Sequence, residues 1–191
     1  MLDCLRGQFL VAVPRMRDPN FFKTVVLIVE HGSEGAMGLV VNRPSTLTVS
    51  DTLAGEIDLP DTEDLVYCGG PVEPSALFIL HSDDDVDSSE AAESEVVNGV
   101  YIGGSRDTFE KVVQHGYNYH SERPFRIFMG CAGWGPGQLE TEIQRGDWLM
   151  CPASAYKVFR ENPYENWDQL LQEIHRGHRL FPHSLENPEW N

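Results

Sequence analysis

The chain has 191 residues, 30 of them Asp or Glu against 14 Lys or Arg, for a formal net charge of -16 at pH 7. Net negative charge opposes the phosphate contacts on which nucleic-acid binding rests, so direct DNA or RNA binding is not expected. With 41% hydrophobic and 23% charged residues, the balance is that of a globular domain able to bury its own core, neither disordered throughout nor membrane-spanning.

The amino terminus places Asp3 ahead of any apolar run, and the run Phe9 to Val13 stops at Pro14, so no signal peptide is read there. Phe9 to Val13 and Thr24 to Glu30 predict strands rich in Val, Leu and Ile. Ala36 to Asn42 predicts a third, paired with the second across the turn His31-Gly32-Ser33-Glu34-Gly35. Leu65 to Cys68 reads as a short strand ended by Gly69-Gly70-Pro71, Ala76 to His81 as another, and Val96 to Ile102 as a third interrupted at Asn98-Gly99. Such close spacing favours antiparallel neighbours.

Helices dominate afterwards. Asp107 and Glu110 make a capping-box pattern, Phe109, Val112 and Val113 share a face, and Gly116 is placed to end that helix. Arg126 to Met129 reads as strand, followed by a glycine-rich stretch read as a loop and a helix starting near Pro136 with Leu139 and Ile143 on one side. That helix ends at Arg145-Gly146, and Trp148 to Cys151 is a last strand. Asn162 caps a helix opened by Pro163, in which Trp167, Leu170, Leu171 and Ile174 form an apolar stripe closing at Gly177. Strands first and helices later imply an α+β fold, with one domain over 1–177 and a tail over 178–191.

Charge is regional. Residues 44–105 hold 14 acids and no Lys or Arg, whereas the rest of the chain is close to neutral. The densest part, Ser82 to Glu95, reads as a solvated loop. Asp83, Asp85 and Asp87 alternate like calcium-loop ligands, but Ser88 stands where the turn needs Gly and Ser94 where a bidentate Glu is required. Cys4, Cys68, Cys131 and Cys151 are too far apart in sequence for a zinc motif, and no metal or cofactor is expected; reduced thiols fit a cytoplasmic protein. No window reaches the roughly 20 apolar residues of a spanning helix.

The run Gly130-Cys131-Ala132-Gly133-Trp134-Gly135-Pro136-Gly137-Gln138 invites a phosphate-binding reading that the residues refuse. Pro136 replaces the P-loop lysine, and Gln138 stands where a dinucleotide fingerprint needs its third Gly. Gly103-Gly104-Ser105 precedes a helix whose dipole Asp107 and Glu110 already satisfy. Cys131 could be an activated thiolate or a small buried thiol packing a tight turn. His175 and His178 suit helix capping better than metal binding.

Several motifs stand in order along the chain. They are Gly7-Gln8-Phe9-Leu10-Val11-Ala12-Val13-Pro14 with Asp18-Pro19-Asn20-Phe21, Gly35-Ala36-Met37-Gly38-Leu39-Val40-Val41-Asn42-Arg43-Pro44, Gly69-Gly70-Pro71-Val72, Leu80-His81, and Gly133-Trp134-Gly135-Pro136-Gly137-Gln138-Leu139-Glu140 with Glu142 and Trp148. Together, over residues 7 to 177, they resemble the YqgE/AlgH family. The resemblance implies a bacterial cytoplasmic protein with a branched, mostly antiparallel sheet curled into a partial barrel with flanking helices. It implies no established activity, although the family name refers to regulation of alginate production.

Three functions follow for testing. In the first, a ligand-binding or regulatory module, Asn42, Arg43, His81, Trp134, Gln138 and Glu140 converge on a pocket for an unknown small ligand, or the protein acts through a protein partner. A purely architectural role for the same residues is the competing account. The second is an enzyme using His81 with Glu140 or Cys131. Direct DNA binding is third, and lacks clustered bases and a basic recognition helix.

Overall fold

The computed structural model describes residues 4–57, 62–82, 95–118 and 123–180. The apolar runs form the strands. β1 (Gln8–Ala12), β2 (Val25–Gly32) and β3 (Gly35–Val40) make an antiparallel start, with β2 and β3 joined as the expected hairpin. β4 (Pro44–Thr48) leads into the single turn α1 (Val49–Thr52), then β5 (Leu65–Cys68) and the long β6 (Val72–His81). β7 (Glu95–Val97) and β8 (Val100–Gly103) follow, then α2 (Arg106–Asn118), β9 (Phe125–Trp134), α3 (Gln138–Arg145), β10 (Trp148–Pro152), α4 (Ala155–Val158), a 3-10 turn (Pro163–Glu165) and α5 (Asn166–Leu180).

The strand order is β10-β1-β2-β3-β9-β6-β8-β7, with β5 joined to β9 and β4 to β5. Every pairing is antiparallel except β5 with β9. The sheet therefore branches at β9 and curls into a half-barrel with helices against it, an α+β fold. The branch requires backbones to approach without side chains. A Cβ on Gly69 would stand 2.2 Å from the Gly130 carbonyl oxygen, and one on Gly130, at φ +69°, 2.6 Å from that of Gly70.

Alternation along β1 divides the core. Phe9 and Val11 join Leu27, Phe128, Trp167 and Leu170, whereas Leu10 and Ala12 join Ile28, Trp134, Leu139 and Trp148 on the other face. A third cluster packs α2, through Phe109, Val112 and Val113, against Ile79 and Ile127.

The structure corrects several boundaries. Gly130 to Trp134, read as a loop, is the second half of β9, because β3 supplies ladder partners from Ala132 to Trp134. Asn98-Gly99 is the two-residue turn of the β7–β8 hairpin, with Gly99 at φ +73°. Ser105 Oγ accepts from the Thr108 N–H at 3.1 Å, so Ser105, not Asp107, caps α2. α2 continues past Gly116, whose missing side chain admits the Phe125 ring, and α5 continues past Gly177. Residues 83–94 of the acidic tract, with the calcium-like aspartates, and residues 181–191 of the tail lie outside the described residues.

Candidate functional site

Four motif residues, Trp134, Gln138, Glu142 and Trp148, gather at one end of β9 and bond to one another. Trp134 and Trp148 both donate their indole N–H groups to Glu142 Oε2, at 2.9 and 2.8 Å, and Gln138 Nε2 donates to Glu142 Oε1 at 3.0 Å. Gln138 Oε1 in turn accepts from the Gly135 N–H. Phe21 lies against both indoles, with ring centroids 6.2 Å from Trp134 and 5.4 Å from Trp148. Asn42 and Arg43 fix the loop that carries Phe21. The Asn42 amide accepts from Val25 N–H and donates to the Lys23 carbonyl, while the Arg43 guanidinium donates to the carbonyls of Pro19, Asn20 and Phe22. Lys23 sits at φ +55°, a conformation that this network holds in place.

Glu140 faces a different partner. Its Oε1 is 2.9 Å from Nε2 of His31, whose Nδ1 accepts from the Leu5 N–H at 3.2 Å, so the Nε2 proton is the one donated to the carboxylate. His81 is elsewhere again. It pairs with Phe125 at the start of β9, whereas Trp134 ends that ten-residue strand, about 30 Å along the chain. Buried and stacked on Tyr101, His81 is not brought to Glu140 or to Cys131, which pairs with Val72. Burial, with Glu73 and Glu30 adding to it, pushes the Cys131 thiol above its ordinary pKa, the opposite of thiolate activation. Arg43 lines a recess of about 130 Å³ and Trp134 a separate open groove of about 540 Å³.

A different cavity opens at the other end of β9. β5 pairs with β9 only at Tyr67 and Cys68; farther back Leu65 keeps its β4 partner Thr48 on the other edge but has no partner in β9, so β5 peels away from Arg126. The gap holds about 360 Å³ between Leu65 and Tyr67 on one side and Phe125 to Ile127 on the other, and Tyr117 of α2 and Phe159 also line it. Arg126 is its central polar group. The guanidinium lies 4.7 Å from the Tyr67 ring centroid and donates to the carbonyls of Val158, at 2.6 Å, and Arg160. A longer contact, 3.5 Å, reaches the Val41 carbonyl. Among the described residues no carboxylate lies within ion-pair distance of Arg126, in contrast to Arg106, Arg145 and Lys157, which meet Glu56, Asp147 and Glu173. Burial lowers the Arg126 pKa from its ordinary value and Tyr67 partly offsets this, yet a guanidinium remains charged. Burial likewise raises the pKa of Tyr67, so its hydroxyl remains a donor. Tyr117 is raised too, by burial foremost, and its hydroxyl donates a hydrogen bond to Asp64 Oδ2 at 2.7 Å. Among the described residues no group of three or more His, Cys, Asp or Glu is placed to hold a metal ion.

The model of the AlgH-like proteins matches residues 9–178. The chain belongs to the AlgH-like family. A UPF0301 protein of Thioalkalivibrio sulfidiphilus is 40% identical over 164 residues, 84% of each chain. One of Myxococcus xanthus is 38% identical over 166 residues, covering 85% of this chain and 87% of its own. The solution structure of the AlgH protein from Pseudomonas aeruginosa is similar at a TM-score of 0.69 and 34% identity, covering 92% of this chain and 90% of that one. A crystal structure of a Corynebacterium diphtheriae protein shares the fold at a TM-score of 0.70 and 24% identity, over 91% and 88%.

In this AlgH-like chain the sequence reading missed His31 and the whole Arg126 cavity. Glu142 stood within a quoted motif but carried no role. Arg126 sits in an apolar strand, Phe125-Arg126-Ile127-Phe128, and that was the available signal: a cation among alternating core residues needs a reason.

Proposed function

We propose that this AlgH-like protein is a small-ligand-binding protein with a regulatory role, and that its site is the Arg126 cavity between β5 and β9. The observation that supports this reading most is a partly buried guanidinium with no carboxylate in ion-pair contact among the described residues, beside aromatic walls and open volume. The motif residues at the opposite end have their polar groups engaged by other protein groups. Regulation would pass through Val158 and Arg160, whose carbonyls Arg126 holds and which lead from α4 towards α5. A ligand drawing on the same guanidinium competes with those bonds. Four free cysteines suit the reducing cytoplasm, and the net charge of -16 argues for a small molecule or protein as partner and against nucleic acid. No helix among the described residues is long and apolar enough to cross a membrane.

The test is a chemically diverse fragment set titrated into isotope-labelled protein, with amide shifts mapped onto the chain. Binding fragments are expected to perturb Leu65, Tyr67, Tyr117, Arg126 and Phe159. Hits confined to the Trp134 groove, or no hits at the cavity, would overturn the assignment.

A further inference from the structure

The cavity's chemistry restricts what it takes, and the argument rests on the proposed reading of it as a ligand site. We propose that its ligand is a small aromatic monocarboxylate, of the size of benzoate or phenylacetate, with the carboxylate on Arg126 and the ring between the aromatic side chains.

The charge comes first. A guanidinium has more N–H groups than the three carbonyl contacts of Arg126 use, and carbonyl dipoles do not cancel its charge. A carboxylate supplies both the acceptors and the counter-charge, in the planar geometry that a guanidinium matches. The Tyr67 hydroxyl, kept protonated by burial, is a second donor from the same wall.

The lining then limits the number of negative charges. Among the described residues Arg123 and Arg126 share the cavity with Asp64 and Glu161, so two carboxylates already stand around it although neither is in ion-pair contact with Arg126. Asp64 is held by the Tyr117 and Thr62 hydroxyls, which keeps a carboxylate fixed in the wall. A monoanion compensates Arg126, whereas a phosphate or nucleotide sets a second charge against Asp64 and Glu161.

The body of the ligand follows from the remaining walls. Phe125, Ile127, Phe159 and Leu65 offer no hydrogen bonds, and the rings of Tyr117 and Phe125 meet edge to face at 5.5 Å. Flat apolar surface of this kind favours an aromatic ring over a sugar or a polar chain. At about 360 Å³ the space is near the lower end for small-molecule sites, which sets the ligand at one ring with a short acid arm.

Benzoate, benzyl alcohol, benzylamine and phenyl phosphate would be titrated into the full chain, with affinity and shift maps read by NMR. Benzoate is expected to bind at the cavity roughly tenfold more tightly than benzyl alcohol, the worth of a charge-assisted hydrogen bond, and more tightly than phenyl phosphate. Arg126→Gln is expected to remove the preference for benzoate over benzyl alcohol. Leu65→Trp fills the mouth from an exposed position, leaves Arg126 in place and is expected to abolish binding of every probe. Should Arg126→Gln fail to fold, the four-probe ranking and Leu65→Trp decide the matter. Equal binding of benzoate and benzyl alcohol, or tighter binding of benzylamine or phenyl phosphate, at the cavity overturns the ligand class and leaves the site standing. Benzoate binding that Leu65→Trp does not alter, or no cavity shift with any probe, overturns both.

Discussion

The two ends of β9 are built on opposite electrostatic plans. At the Trp134 end a carboxylate, Glu142, is surrounded by two indole N–H groups and an amide, and the neighbouring Asn42 and Arg43 spend their donors on backbone carbonyls. At the Arg126 end a cation is met by carbonyls and a phenol ring, with no carboxylate in ion-pair contact among the described residues, and a cavity stands beside it. The lesson is that the end richest in sequence motifs is a latch, closing the Phe21 loop, β10 and α3 onto the sheet. Open volume beside a charged group lies at the end where the sequence shows only one arginine in an apolar strand.

The comparison can be broken by unequal responses to mutation. Glu142→Ala leaves two buried indole donors without their acceptor and is expected to cost about 3 kcal/mol, read from denaturant unfolding. Arg126→Met removes a cation lacking an ion-pair partner among the described residues and frees the Val158 and Arg160 carbonyls, so a smaller loss, about 1 kcal/mol, is expected. A larger loss at Arg126 than at Glu142 would reverse the assignment of latch and site.

Alkaline pH sharpens the contrast, because two phenols with raised pKa values, Tyr67 and Tyr117, line the cavity. Each binds its proton more tightly folded than unfolded, so their contribution is complete below the ordinary value of 10.0 and is lost as pH rises above it. Unfolding free energy is expected to fall above pH 10, and the fall should be shallower in Tyr117→Phe. An unchanged slope in that variant would show that the cavity phenols are not the groups responsible.

The smallest effect concerns the thiols. Cys131 and Cys151 have raised pKa values, chiefly through burial, whereas Cys4 and Cys68 are exposed. A disulfide-exchange reagent at pH 8 is expected to label two thiols quickly and two slowly. Fast labelling of Cys131 would restore the thiol reading of the glycine-rich stretch.

Much of the framework is legible in the order of residues. The β2–β3 hairpin, the short β5, the Arg145-Gly146 helix end with Gly146 at φ +78° and the Trp167 stripe of α5 are set by local periodicity and turn chemistry. The second half of β9 was not legible, since Gly130 to Trp134 has the composition of a loop and becomes strand only because β3 lies beside it. Of the candidate site, the sequence singled out Asn42, Arg43, His81, Trp134, Gln138 and Glu140 as unusual. It could not tell ligand-binding side chains from a latch, because the acceptors of Arg43 are backbone carbonyls and any residue has those.

By itself the sequence determined the α+β class, the regional charge and the family resemblance, all of which depend on residue types and on short-range spacing. Tertiary structure alone decided that β9 is the branch point, that Glu142 rather than a ligand satisfies the two tryptophans, and that Arg126 is without a carboxylate partner among the described residues. Those facts turn on which distant segments meet. Tyr67, Arg126 and Phe159 are strangers along the chain, and only the parting of β5 from β9 puts a cavity among them.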